Sequence, residues 1–217
     1  RTVVLKSGVQ IFNHSVIIPQ GFRFVIERGT QLLFAPKTYL ISYSPVTAIG
    51  TADAPIYFGP LVSEGEPWGV FGVVGDGRKS YFNFINVAGG SEVKINGILF
   101  TSQFSLNNTV SEIANSVFEN GRSDDDFHAI KSSVNISNSI FRNTSSDGID
   151  FDYVKDSKIT NSFFMNDFPE GSNGDGIDLS GTENVEILGN KIIGFGDKCI
   201  SIGENSEALV KNNILVN

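Results

Sequence analysis

Five stretches in the second half of the chain repeat one order of apolar and polar positions. Ile113-Ala114-Asn115-Ser116-Val117-Phe118 aligns with Ile136-Ser137-Asn138-Ser139-Ile140-Phe141 and with Ile159-Thr160-Asn161-Ser162-Phe163-Phe164. Ile187-Leu188-Gly189-Asn190-Lys191-Ile192 and Val210-Lys211-Asn212-Asn213-Ile214-Leu215 continue the series. Successive start points lie 23, 23, 28 and 23 residues apart. The one long interval holds an insertion from about Asp167 to Asn173, rich in Pro, Glu, Gly, Ser and Asn, which reads as turn chemistry. Helical repeats of this length show apolar residues at i, i+3, i+4 and i+7. Here the apolar segments are short, rich in Ile, Phe and Val, and broken by Asn, Gly, Ser and Asp, which predicts strand, turn, strand, turn.

Three columns stay in register through these repeats. Asn115, Asn138, Asn161 and Asn212, with Gly189, form one; Asn120, Asn143, Asn166, Gly194 and Asn217 form a second. Asn and Gly tolerate left-handed backbone at a tight corner, and stacked Asn amides can hydrogen-bond between coils. Phe118, Phe141, Phe164, Ile192 and Leu215 form the third column, predicted to be an interior ladder. The first half is less regular but similar. Val16–Ile18, Phe22–Ile26, Leu32–Phe34, Tyr39–Ile41, Ile56–Phe58, Trp68–Val74 and Tyr81–Val87 are β-prone and separated by Pro, Gly or polar turns. No linker interrupts the chain, so residues 1–217 read as a single domain, continuing into a longer protein. The expected fold is all-β, a right-handed single-stranded parallel β-helix of about 20–23 residues per coil.

Composition agrees with a folded chain. Of 217 residues, 40% are hydrophobic and 18% charged. Sixteen Lys+Arg against twenty-four Asp+Glu give a net charge of −8, which argues against a nucleic-acid partner and suits metal ions or neutral glycans. The single cysteine, Cys199, makes no internal disulfide and reads as packing at a tight corner. No apolar run reaches transmembrane length, and no signal peptide stands at Arg1, where the chain opens inside a strand-like pattern.

The candidate chemistry lies between the Asn-containing segments. Phe127, Ile149, Ile177 and Ile200 align, as do Ala129, Phe151, Leu179 and Ile202, and both columns should point inward. Alternation then places His128, Asp150, Asp178 and Ser201 on the outer surface between them. Asp125, Asp147, Asp175 and Lys198 line up just before that strand, and Asp152 and Ser180 follow on the outer side. Coils stack about 4.8 Å apart, so these carboxylates repel unless something neutralises them. Three explanations stand. Asp side chains cap turns and accept backbone N–H groups, most readily Asp147, which Gly148 follows, and Asp175, which Gly176 follows. Alternatively Ca²⁺ draws oxygen ligands from Asp147, Asp150, Asp175 and Asp178. Or paired carboxylates act as acid and base on a glycosidic bond. Asp is disfavoured inside strands, so the capping account is weakest for Asp150 and Asp178. A His128–Asp150 neighbour pair across coils is a candidate general base. Trp68, Tyr153 and Phe168 are candidates for stacking on sugar rings.

The repeats resemble those shared by pectate lyases, polygalacturonases, alginate-modifying enzymes and many bacterial surface proteins. Ser146-Asp147-Gly148-Ile149-Asp150, Gly174-Asp175-Gly176-Ile177-Asp178 and Lys198-Cys199-Ile200-Ser201-Ile202-Gly203 are similar in order to three successive polygalacturonase motifs. By that resemblance Asp147 matches the aspartate of the first motif and Asp175 the first of two paired aspartates in the second. The chain departs where Gly176 replaces the second paired aspartate and Lys198 replaces the motif histidine, and no Arg-x-Lys element follows Gly203. The expectation is an extracellular or cell-surface protein that engages polysaccharide along this acidic face, as a hydrolase, lyase or epimerase or as a binding surface. Catalytic candidates are Asp150, Asp178, Asp147 and Asp175. Substrate-binding candidates are His128, Asp152, Lys198 and Ser201. The rival class is a structural or adhesive solenoid within a surface protein, with Ca²⁺ between coils.

Overall fold

The computed structural model describes residues 1–167 and 173–216. Three long parallel sheets wrap into a solenoid, and the chain visits them in the order sheet 1, sheet 2, sheet 3 once per coil. Sheet 1 has nine strands from Thr2–Leu5 to Ala208–Lys211, and sheet 2 has nine from Gly8–Phe12 to Ile214–Val216. Sheet 3 has eight, from Val16–Ile18 to Ile200–Gly203. No α-helix occurs among the described residues. The predicted β-helix is the observed fold.

The register follows the repeats. Ile113 pairs with Ile136, Ile136 with Ile159, Ile159 with Ile187 and Ile187 with Val210. Asn115, Asn138, Asn161 and Asn212 all take left-handed φ, between 49° and 58°, and Gly189 takes 68° in the same column. The chain turns there from sheet 1 to sheet 2, and Asn meets that backbone at little cost. At the second corner Asn120, Asn143 and Gly194 are left-handed. Asn166 instead donates its amide to Thr144 O and Oγ1, at 3.2 and 2.8 Å. Asn217 and the insertion residues 168–172, including Phe168, lie outside the described residues.

Beside the first corner runs a ladder of side-chain acceptors that the Asn column concealed. Ser139 Oγ accepts the Ser116 N–H, Ser162 Oγ accepts the Ser139 N–H, and Asn190 Oδ1 accepts the Ser162 N–H, at 2.9–3.2 Å. Asn213 Oδ1 extends it by accepting the Asn190 N–H at 2.8 Å. Each bond satisfies a buried backbone donor at a turn where no strand partner is available.

The core is a stack of side chains rather than a cluster. Phe118, Phe141 and Phe164 lie parallel with ring centroids 4.9 and 4.8 Å apart and interplanar angles of 7°. Phe71, Phe104 and Phe127 stack in the adjoining lane at 5.3 and 5.6 Å, and Phe58, in the same row as Phe118, meets Phe71 edge-on at 4.8 Å. Trp68 is not a surface sugar platform. It is fully buried in the core, continues the Phe12–Phe34 ring stack at 4.6 Å and donates its indole N–H to Ala88 O. Tyr153 is half exposed, at a left-handed turn (φ 52°).

The first half contains an element that hydrophobic pattern alone did not separate from a coil strand. Val93–Ile95 and Ile98–Phe100 form an antiparallel hairpin inserted between sheets 2 and 3. Phe100 joins Ile41 and Val70 in a second buried cluster, packed by Tyr39, Tyr43, Val74, Val93, Ile95 and Ile98. Ile41, Gly72, Ser105, His128, Asp150, Asp178 and Ser201 form one continuous row across sheet 3. A Cβ on Gly72 would lie 2.7 Å from Ile41 Cδ1 and 3.0 Å from Phe100 Cε1, so the hairpin covers that end of the row. The outer face of sheet 3 is thus divided into a covered apolar half and an acidic half, with His128 near the border.

Candidate functional site

The acidic half is built by strands Asp125–Ile130, Asp147–Asp152, Ile177–Ser180 and Ile200–Gly203. Phe127, Ile149 and Ile177 are buried in the core, as are Ala129, Phe151 and Leu179, as alternation requires. Ile202, in the last coil, is 48% exposed because only one neighbouring coil packs on it. The entries of the two middle strands break strict alternation. A Cβ on Gly148 would meet Gly176 O at 2.6 Å, and one on Gly176 would meet Ile192 Cγ2 at 2.5 Å and Cys199 O at 2.6 Å. These glycine positions face inward, which leaves Asp147 and Asp175 on the same side as Asp150 and Asp178.

The aspartates before the strand form a ladder. The Asp175 N–H donates to Asp147 Oδ1 at 2.7 Å, and the Lys198 N–H donates to Asp175 Oδ1 at 2.7 Å. One oxygen of each carboxylate therefore ties one coil to the next, the capping role anticipated for these two residues. Lys198 Nζ pairs with Asp197 and stands 3.9 Å from Asp175 Oδ2. One coil before Asp147, Asp125 is buried and its Oδ2 accepts from Thr101 Oγ1 at 2.7 Å. Asp126 is buried beside it, where Oδ1 accepts from the Gly121 N–H and Gln103 Nε2.

The second row brings His128 between two carboxylates. Its Nε2 lies 3.7 Å from Asp150 Oδ2, directly across in the next coil, and 3.4 Å from Asp152 Oδ2. The side chain of His128 is only 6% exposed, against 20% for Asp150 and 32% for Asp152. The expected outer-surface histidine does face outward from the core, but it is buried among its neighbours. Asp178 and Ser201 continue the row, half-buried, while Asp152 and Ser180 pair on the next outward position.

Burial and mutual repulsion raise the carboxyls here. Asp147 is pushed up to about 7, first by desolvation and then by Asp175, Asp178 and Asp124, against the lowering effect of the Asp175 N–H. Asp150 reaches about 7, first by burial, with His128 lowering it and Asp152, Asp178 and Asp147 raising it. Asp125 and Asp126 rise well above the usual carboxylate range, again through burial, and Asp175 rises for the same reason. Lys198 is raised by its hydrogen bond to Asp197.

A consequence for stability follows with a definite sign. Between its ordinary value of 3.8 and about 7, Asp147 holds its proton when folded and loses it when unfolded. The folded state then binds more protons, so stability falls as pH rises across that window, by up to about 1.4 kcal/mol per pH unit for one such group. With chelator present, the protein is expected to melt at a higher temperature at pH 5 than at pH 8. Asp147→Asn should reduce that difference. Equal melting temperatures for the unaltered protein at the two pH values would show that the face is not strained by ionisation.

The family is decided by the repeats. A model described as the right-handed beta helix region matches residues 83–217. The chain belongs to the right-handed beta helix family. The match spans the regular coils and the whole acidic half of sheet 3, so this β-helix carries its candidate site within the matched region. Comparisons with curated proteins and with solved structures returned no match. In a β-helix the fold by itself assigns no chemistry, and a function must be argued from the acidic face.

Two features of that face were hidden from the sequence. Asp125 aligned with Asp147, but nothing marked it as buried against Thr101. Asp152 was placed on the outer side, but its approach to His128, diagonal across the strand pair, depends on side-chain direction rather than register.

Proposed function

We propose that the acidic half of sheet 3 engages a polysaccharide laid along the coil stack, in an extracellular or cell-surface setting. The observation that carries this reading is the recurrence of outward carboxylates on successive coils: Asp147 and Asp175, tied by a hydrogen bond, in one row, and Asp150 and Asp178, paired in register, in the next. The rows repeat about every 4.8 Å. A linear polymer meets a similar set of groups at each coil. Carboxylates accept hydrogen bonds from sugar hydroxyls, and a protonated carboxyl also donates one. The net charge of −8 disfavours phosphate-bearing polymers and suits a neutral glycan. Asp150 and Asp178 face the sugar in this reading, Ser201 and Lys198 flank it, and the hairpin Val93–Phe100 closes one end. If the face cleaves its ligand, Asp150 and Asp178 are the acid–base pair, supported by Asp147 and Asp175.

A glycan array followed by mass spectrometry of products tests this. The unaltered protein should retain a neutral polysaccharide, and both Asp178→Asn and Asp150→Asn/Asp178→Asn should weaken retention at least about tenfold, the loss of roughly one hydrogen bond to a charged group. Full retention by the double variant would move the site off this face. One observation favours a second reading, a structural solenoid: Asp147 and Asp175 already use a carboxylate oxygen to bond neighbouring coils. A protein that retains no glycan would leave that reading standing.

A further inference from the structure

We propose that His128, Asp150 and Asp152 form a binding site for a divalent transition metal of the zinc class. The three offer one ligand atom each, all within 4.8 Å of one another, from two adjacent strands of sheet 3. The argument rests first on distance. The Nε2 contacts of 3.4 and 3.7 Å are longer than the roughly 2.7–2.9 Å of a charge-assisted hydrogen bond. A tetrahedral ion with bonds of about 2.0–2.1 Å separates its ligand atoms by about 3.3–3.4 Å. The His128–Asp152 edge, a long hydrogen bond at 3.4 Å, already matches that separation, and the Asp150 edge at 3.7 Å needs only a small inward shift to meet it.

Burial is the second observation. With 6% of its side chain exposed, His128 is locked in place, and its Nε2 is aimed between two carboxylates that are themselves partly open to solvent. Asp150 and Asp152 are therefore the ligands that an ion arriving from solvent would meet first. Buried imidazole beside two carboxylates is also the donor set that discriminates among cations. Calcium and magnesium prefer oxygen ligands throughout, whereas imidazole suits zinc and its transition-metal neighbours. Calcium on Asp147, Asp150, Asp175 and Asp178, one of the three explanations the sequence left open, competes with backbone N–H groups for Asp147 and Asp175.

Charge completes the case. Asp178 lies directly opposite Asp150 on the next strand, and Lys198 at the far end of this face is occupied by Asp197 and Asp175. A divalent cation would neutralise this surplus.

The site requires no glycan, so it is tested without one. The protein, stripped with chelator, is titrated with Zn²⁺ by calorimetry, with Co²⁺ absorption as a report of coordination geometry. The expected result is one Zn²⁺ per chain, a raised melting temperature, and a visible Co²⁺ spectrum of tetrahedral intensity. His128→Asn and Asp152→Asn should each weaken Zn²⁺ at least tenfold. Asp152→Asn is partly exposed and keeps its shape, so it remains informative if His128→Asn fails to fold. His14→Asn alters the other histidine of the chain, exposed and far away in sequence, and should leave binding unchanged. The proposal is overturned if folded Asp152→Asn binds Zn²⁺ as tightly as the unaltered protein, if His14→Asn abolishes binding, or if Ca²⁺ stabilises as well as Zn²⁺. Retention of zinc with no glycan binding would sink the polysaccharide reading alone.

Discussion

Phe141→Ala should lower the stability of the protein by about 3–5 kcal/mol, the usual loss when a buried phenylalanine is truncated. Phe141 is fully buried and sandwiched between Phe118 and Phe164, each within 4.9 Å and nearly parallel, with Phe127 edge-on at 6.3 Å. Truncation removes ring contacts on three sides. Its neighbours are held by sheet hydrogen bonds above and below, so they cannot collapse to fill the space. In a solenoid each coil contacts only the coils beside it, so the damage concentrates at one level of the stack. Chemical denaturation should show a lower midpoint, and a shallower transition if the two halves uncouple. Phe141→Leu should cost less, since it keeps much of the volume. An unchanged midpoint for the alanine variant would mean that the ring ladder contributes nothing to the fold.

The second large effect concerns the departure from the polygalacturonase-like motif. Gly176→Asp, which supplies the missing paired aspartate, is expected to destabilise the protein by at least about 3 kcal/mol rather than create activity. The new Cβ would lie 2.5 Å from Ile192 Cγ2, 2.6 Å from Cys199 O and 3.4 Å from Phe195 Cδ2. A backbone oxygen cannot yield as a flexible side chain can. The carboxylate would also point into the stack, where a charge without a partner is costly. Loss of soluble protein, or a melting temperature far below that of Asp178→Asn, is the expected outcome. A Gly176→Asp protein that melts like the unaltered one would show that position 176 faces outward, contrary to the packing of Ile192 and Cys199.

The comparison of these two positions shows where sequence reading succeeds. The ring ladder was legible because Phe118, Phe141 and Phe164 recur at one interval, and a column that repeats in sequence must repeat in space once the coils stack. The row His128, Asp150, Asp178 and Ser201 was legible for the same reason, since register fixes every partner from a single correct pair. Gly176 was legible as a departure from a motif, but not as an inward-facing position. Alternation counted from Ile177 sends residue 176 outward, and only the close approach of Ile192 and Cys199 O shows that the strand entry is bent.

Repetition in the chain determined the fold, the left-handed corners at Asn115, Asn138, Asn161 and Asn212, the stacked core and the membership of the acidic rows. These are consequences of period, and period is a one-dimensional property. Tertiary structure decided three other matters. It buried Trp68 against Phe34, laid the Val93–Phe100 hairpin over one half of sheet 3, and set His128 between Asp150 and Asp152. Each depends on how an irregular segment or a side chain meets a surface made by residues far away in the chain. No interval in the sequence encodes such a meeting, because it arises from packing and burial, which exist only after the coils have stacked.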